Sequence, residues 1–385
     1  MSIKLQQGKG RYTITMHLPA ALQQTQEIIT QQKTSFFRSY RERIAPIDEW
    51  SLFVLDRLEE YCLRPGKAVR PLLVALGSAL SQSKSIEEVL IQPDVLLAML
   101  IVELKHKRII MADDVSDRDE TRNGKPSMHV KWYQDLDEQL AYHALGKEKL
   151  THVARSYTEV AGLWLQSISN WLLADPAFSD KQRCNLLEVF QAHTYDRTAT
   201  GWYVIFDQSF EALTNETSEE RLLKGLELVS GEYTFVGPLR VGMSLSGKSD
   251  IKLETSLRTY GQAAGILFQI TDDIIGAFGD PAITGKPVGG DFREGKKTLL
   301  VQHAYRHGND KQRRTLQDLI GKDKISKSEV LDIQNILKDT QALEYAQQRA
   351  LQYAQQAQEA LGQLPACVEK DLLLELVEFV LKRQK

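Results

Sequence analysis

Two apolar runs of helical character, each ending in paired aspartates, constrain this chain more than any other feature. The first is Ile109-Ile-Met-Ala-Asp-Asp-Val-Ser-Asp117 and the second is Phe268-Gln-Ile-Thr-Asp-Asp-Ile-Ile-Gly276. On a helix Asp113 and Asp117 share a face, and Asp114 flanks it about 100° round. Asp272 and Asp273 repeat the pair, with Gly276 where a third acid would fall. Aspartate prefers caps and turns to helix interiors, and near a helix C-terminus it meets the negative end of the backbone dipole. Both runs head into loops, at 118–124 and 279–285. Acids set against local preference in two places point to a compensating cation. Magnesium suits such a site, because it takes carboxylate oxygens and completes its shell with water and substrate phosphates. Two solvated acidic helix ends are the plainer alternative.

The rest of the chain has the helical period. Residues 21–42 and 47–62 read as helices, the latter through Trp50, Phe53, Leu55, Leu58 and Tyr61. An apolar helix follows over 72–80, and Pro93 opens the helix that carries the first acid cluster. After Gly124-Lys-Pro-Ser-Met-His129 a polar stretch runs to about residue 150. Helices are predicted at roughly 152–175, 181–206, 218–230 and 233–246, with the second acid-bearing helix starting near Lys252. The tail, 297–385, reads as four or five amphipathic helices. Tyr12, Ile14 and Met16 alternate with threonines, so residues 1–18 are expected to form an N-terminal arm, extended or strand-like. No repeat of fixed period and no run of buried strands is present. The expected fold is all-α: one helical domain over 19–385, built as a large bundle.

Composition narrows the partners. At 42% hydrophobic and 26% charged residues the chain is ordinary for a soluble globular protein, and a net charge of -3 gives no bulk attraction for nucleic acid. Cys62, Cys184 and Cys367 are scattered without metal-ligand spacing, which suits a reducing cytoplasm. The polar N-terminus does not read as a signal peptide, and no apolar run approaches the length of a transmembrane segment.

Three further features carry possible chemistry. In Arg64-Pro-Gly-Lys-Ala-Val-Arg-Pro71, Lys67 and Arg70 sit at a loop-to-helix junction, where free backbone N–H groups can help hold a phosphate. They read equally as two surface cations. His106 lies seven residues before Asp113, two turns away on the same face; a lone histidine can also be a structural hydrogen bonder. The loop 285–298 mixes glycines with Lys286, Arg293, Lys296 and Lys297, a composition that lets backbone and ammonium groups approach an anion. It is not the nucleotide P-loop, since the glycine spacing differs and no strand precedes it.

In this order, over roughly residues 45–310, these motifs resemble the trans-type polyprenyl diphosphate synthases, the family of farnesyl and geranylgeranyl diphosphate synthases. Residues 66–71 resemble the family's Gly-Lys-Arg-x-Arg-Pro, and Asp113 to Asp117, followed by Arg122, resembles the first aspartate-rich motif. Phe268-Gln-x-x-Asp-Asp273 resembles the second motif, and Gly285-Lys286 and Gly295-Lys-Lys-Thr298 the loops after it. The resemblance implies an isoprenoid-synthase bundle around a central cavity, a homodimer, and condensation of isopentenyl diphosphate with an allylic diphosphate. It implies Mg²⁺ held by Asp113, Asp117 and Asp272, with Asp114 and Asp273 in support. Lys67, Arg70 and His106 match the contacts to isopentenyl diphosphate, and Arg122, Gln269, Lys286 and Lys296 match contacts to the allylic substrate. Ser230 is counted with the substrate-binding positions.

Four positions depart from the family pattern: Asn123 for a second arginine, Val229 for a lysine, Gly276 for the third acid and Ala112 for a frequent histidine. Lys297 or Arg293 is a candidate to restore the lost positive charge. Arg108 and Ile109 fall where the family places the floor of the chain pocket, unless Arg108 turns away to pair with an acid. The expected product is short, geranylgeranyl or farnesyl diphosphate. The alternatives are a terpene cyclase and a catalytically impaired subunit that regulates an active partner.

Overall fold

The protein is described by a computed structural model over residues 16–139, 142, 144–214, 218–280 and 288–383. Lys286 and all but the end of the expected N-terminal arm lie outside the described residues. Helix α1 spans Leu18–Ile44, α2 Glu49–Leu63, α3 Val69–Gln82, α4 Ile86–Val89 and α5 Pro93–Ser116. A two-stranded hairpin follows, β1 Thr121–Arg122 with β2 Lys125–Pro126, and then α6 Met128–Asp137 and α7 Lys147–Trp171. Next come α8 Asp180–Val189 and α9 Arg197–Phe210, then α10 Glu219–Leu226, α11 Gly237–Leu245 and α12 Ile251–Phe278. A short α13, Gly290–Arg293, precedes five tail helices: α14 Leu299–His307, α15 Asp310–Leu319, α16 Lys327–Asp339, α17 Ala342–Leu361 and α18 Val368–Lys382.

Local chemistry sets many of these ends. Asp48, Asp250 and Ser218 cap α2, α12 and α10 through side-chain acceptors, and Ser85 and Ser179 close capping boxes. Pro93 stands at the start of α5, where its missing N–H costs nothing.

Two expectations are corrected. No helix boundary lies at 230–233: α10 runs into α11 through a π-helical segment, Glu227–Val236. The Ser230-Gly231 signal marks close packing rather than a turn. A Cβ on Gly265 of α12 would land on the backbone of Gly231, and one on Gly231 would crowd Gln262, so the two elements touch backbone to backbone here. A second π-helical segment, Phe190–Asp196, likewise joins α8 to α9. The polar stretch after Gly124 also contains α6. It buries Trp132 and Leu136, while Asp135 pairs with Arg57 at 2.5 Å and Lys131 at 2.7 Å. Its charges are thus paired at the edge of a small apolar face.

One hydrophobic core runs from Leu18 of α1 to Val380 of α18. Helix α5 packs on α3 and α7, while α12 packs on α17 and on the 227–236 segment. This brings the C-terminal half of α5 and the C-terminal half of α12 to the same end of the bundle, around a shared cavity.

Candidate active site

The first acid cluster sits where α5 ends. Asp117 caps the helix, its N–H bonded to the Asp113 carbonyl at 2.8 Å. The chain then reverses through Asn123 and Gly124, which have φ of 55° and 72°. Asn-Gly is the residue pair best suited to a tight hairpin with both φ values positive, so Asn123 answers a backbone requirement. The hairpin swings Arg122 back onto α5. Its Nε donates to Asp114 Oδ1 at 2.7 Å, and its Nη2 donates to Asp113 Oδ2 and Asp119 Oδ2, both at 3.3 Å. Tyr61 donates to the other oxygen of Asp114 at 3.0 Å. Asp114 is therefore fully buried beneath the site, while Asp113 and Asp117 line the cavity. Burial, with Asp117 beside it, pushes the Asp113 carboxyl up to about 6.

On the facing helix, Gln269, Asp272 and Asp273 line the same cavity. Gln269 donates to Asp273 Oδ1 at 3.0 Å and accepts from Ser230 Oγ at 3.0 Å. Ser230 thus props Gln269 from behind and is not itself on the cavity wall. The third acid missing at Gly276 is replaced in space: a Cβ there would stand 2.6 Å from Asp291 Oδ2. Burial and this Asp291 carboxylate together drive Asp273 well above the usual carboxylate range. Lys296 ties the clusters together, with Nζ 3.0 Å from Asp117 Oδ2, 3.4 Å from Asp291 Oδ1 and 2.6 Å from Glu294 Oε2.

The cavity has a volume of about 770 Å³. Its remaining wall includes Trp202, Ile205 and Phe206 of α9 and, on the elements packed against α9, Leu222, Leu226 and Val229, so apolar surface joins the acids in lining it. Among the described residues, no group of three acidic, histidine or cysteine side chains converges closely enough to hold a metal on protein ligands alone. That donor set fits magnesium, which is commonly held by one or two carboxylates with phosphate and water completing its shell.

A second polar group lies beside the acids. Arg70 Nη1 donates to His106 Nε2 at 3.0 Å and Nη2 donates to Thr234 Oγ1 at 2.7 Å. Burial, reinforced by Arg70, holds the His106 imidazole well below its ordinary pKa. A neutral ring that accepts from Arg70 at Nε2 carries its proton on Nδ1, which donates to Tyr233 OH at 2.7 Å. Lys67 is exposed on the preceding loop, and its charge opposes the upward push of burial on Asp272. Lys67, Arg70 and His106 are not among the residues lining the acid-lined cavity; Lys67 is close enough to act on Asp272, and His106 feels the charge of Arg122. The loop itself is pinned by Asn123, which donates to the Pro65 carbonyl, and by Lys107, which donates to the Arg64 carbonyl at 3.2 Å. Arg108 turns away, as the alternative required, pairing with Glu159 at 3.2 Å across the notch left by Gly162.

A family model for polyprenyl synthetase matches residues 53–337. The chain belongs to the polyprenyl synthetase family. Within that family it is 30% identical over 322 residues to a geranylfarnesyl diphosphate synthase of Aeropyrum pernix, covering 83% of this chain and 91% of the relative. A geranylgeranyl diphosphate synthase of Methanosarcina mazei is 26% identical, over 83% of this chain and 86% of its own. Among solved structures, a geranylgeranyl pyrophosphate synthase of Corynebacterium glutamicum, complexed with isoprenyl diphosphate and magnesium, superposes with a TM-score of 0.84. It is 25% identical and covers 94% of this chain and 99% of its own.

Asp291 and Arg383 were not among the residues singled out from the sequence. Asp291 sits in the glycine-rich loop, where an acid among lysines was the available signal. Arg383 lies 2.7 Å from Asp272 Oδ1, donates to the Phe268 carbonyl at 2.6 Å and rests on the Phe268 ring. Only the basic end of the chain hinted at it.

Proposed function

We propose that this protein is a short-chain prenyl diphosphate synthase, condensing isopentenyl diphosphate with an allylic diphosphate. The observation that carries the reading is the cavity itself: both acid clusters line it, and Lys67 and the Arg70–His106 pair lie within reach of its charges. The resemblance to synthases of geranylgeranyl and geranylfarnesyl diphosphate supports it, and the product is proposed to be geranylgeranyl or farnesyl diphosphate.

Asp113, Asp117 and Asp272 are the residues that would hold Mg²⁺. When bound, the metal supplies positive charge to the allylic diphosphate. Arg122 and Lys296 fix the carboxylates and add their own charge at the rim. The allylic carbon–oxygen bond breaks with its electron pair going to the diphosphate, which gains negative charge that these cations stabilise. Trp202, Ile205 and Phe206 keep water from the allylic cation. Lys67 and Arg70 hold the diphosphate of isopentenyl diphosphate, with neutral His106 orienting the guanidinium. The isopentenyl double bond attacks the cation, and loss of a proton from the adjacent carbon, to the departed diphosphate, restores a double bond. No side-chain base is required.

A cyclase would have no use for the second anion site at Lys67 and Arg70, and the geometry favours two diphosphates. For the impaired-subunit reading, Val229 does leave one wall of the cavity uncharged, but Asp291 stands in for the acid missing at Gly276. Purified protein with Mg²⁺, isopentenyl diphosphate and each allylic diphosphate in turn should give prenyl diphosphates one or more units longer, read by mass spectrometry. No elongation with any primer would overturn the reading. A homodimer in the cytoplasm completes it, supported by exposed apolar residues on α7 and α9 and by the scattered free cysteines.

A further inference from the structure

One fully buried carboxylate has no part in the proposed mechanism. Glu232 is 0% exposed and lies in the π-helical segment 227–236. Its Oε2 accepts from His193 Nδ1 at 2.6 Å. Its Oε1 accepts from Gln262 Nε2 at 3.0 Å and Arg197 Nη1 at 3.5 Å, and Arg258 Nη2 lies 3.7 Å away. Arg240 donates to His193 Nε2 at 3.0 Å, so the ring proton sits on Nδ1 and is donated to Glu232. A carboxylate stays buried only where donors satisfy it, and these come from three elements: the 190–196 segment, α9 and α12.

His193 belongs to the other π-helical segment, Phe190–Asp196. Wide turns of this kind are rare and tend to occur at functional sites. Here two of them are joined to each other by the His193–Glu232 hydrogen bond. The sequence neighbours of Glu232 lead to both proposed anion sites. Two residues before it, Ser230 donates to Gln269 at 3.0 Å, and Gln269 donates to Asp273 of the second acid cluster at 3.0 Å. Directly after it, Tyr233 accepts from His106 at 2.7 Å and lies under the Arg70 guanidinium, 4.6 Å from the ring centre. Thr234 accepts from Arg70 at 2.7 Å.

We infer that Glu232 is a positioning residue for both anion sites at once, because it anchors the one segment that carries the supports of each. This rests on the proposed synthase activity. Replacing the carboxylate by an amide leaves His193, Arg197 and Arg258 sharing a neutral oxygen, and the charge that drew the arginines in is gone. The segment then shifts, and Ser230 and Tyr233 shift with it. One change therefore reaches Gln269 and Asp273 on one side and Arg70 and His106 on the other, and a displacement of about 1 Å at such supports is enough to cost rate.

The test is steady-state kinetics with Mg²⁺, isopentenyl diphosphate and the allylic primer that the parent elongates. Glu232→Gln should lower kcat by about 10-fold and raise KM for isopentenyl diphosphate as well. Because it acts through Ser230 and Tyr233, it should lower kcat less in a Ser230→Ala background than in the parent. In a Tyr233→Phe background it should raise KM for isopentenyl diphosphate less. His193→Gln removes the same bond from the partner side and replaces Glu232→Gln should that variant misfold. Leu337→Ala, a buried truncation in the tail helix α16, should lower the unfolding midpoint and leave kcat and KM at the parent values. Folded Glu232→Gln protein with parent kinetics, or with only one of the two parameters changed, would overturn the inference. So would effects that multiply in full in both backgrounds, or the same kinetic losses in Leu337→Ala. A parent protein that elongates no primer overturns the functional reading, and the role of Glu232 with it.

Discussion

Arg122 contacts three carboxylates at once, and that arrangement explains how so many acids coexist at one helix end. Its planar fork donates to Asp113, Asp114 and Asp119 together, which a lysine's point charge cannot reproduce. Arg122→Lys should lower kcat while leaving the fold intact, measured by steady-state kinetics beside a thermal unfolding curve. Asp291 extends the same logic, since it brings a carboxylate to the space above Gly276. Gly276→Ala would push Asp291 aside and should lower kcat by about 10-fold or more, in line with losing one preorganised group at a reacting centre. Lys105 gives a pH prediction. Burial brings its ammonium down to about 7 in the folded protein, from an ordinary value of 10.5. Between those values the unfolded chain binds a proton that the folded chain does not, so stability from this group rises with pH from about 7 to about 10. Urea unfolding at several pH values should show that rise in the parent relative to Lys105→Met. Equal pH dependence of the two would contradict the assignment. At this scale the sequence was informative but incomplete. The aspartate spacing placed Asp113 and Asp117 on one face, whereas Asp291 and Arg383 reach the site only through tertiary folding, which no local pattern records.

At the scale of elements, the acid-bearing helices α5 and α12 were readable because their apolar periodicity is long and their starts carry strong signals, Pro93 and Asp250. The π-helical segments were not. A π-helical turn adds about one residue to the turn, and a shift that lasts only one or two turns is lost within the window that periodicity needs, while Ser230-Gly231 imitates a break. Helix α6 was lost to its own charges, which pair along one edge while Trp132 and Leu136 go inward. The Gly231–Gly265 contact carries a prediction at this scale. Gly265→Ala should force α12 and the 227–236 segment apart and cost about 1–3 kcal/mol, as overpacking does. A denaturant midpoint unchanged from the parent would contradict the packing account. Activity should fall as well, since Gln269 and Ser230 meet across the same contact.

At the scale of the whole molecule, the proposed two anion sites share one cavity end of an all-helical bundle. Exposed Val160 and Leu163 on α7, with Tyr203 and Phe210 on α9, leave apolar surface on the outside of that bundle. Analytical ultracentrifugation should show a dimer, and Leu163→Glu should shift it toward monomer; a monomeric parent would contradict the proposed assembly. The central claim is that the two acid clusters act on one diphosphate, and a double-mutant cycle in kcat tests it most directly. Residues that serve one group act as a unit, and their losses do not multiply. Asp113→Ala and Asp272→Ala should each reduce kcat by about 10²-fold or more, and the double variant should be little worse than the poorer single one. Losses that multiply in full, or single variants as active as the parent, would contradict it.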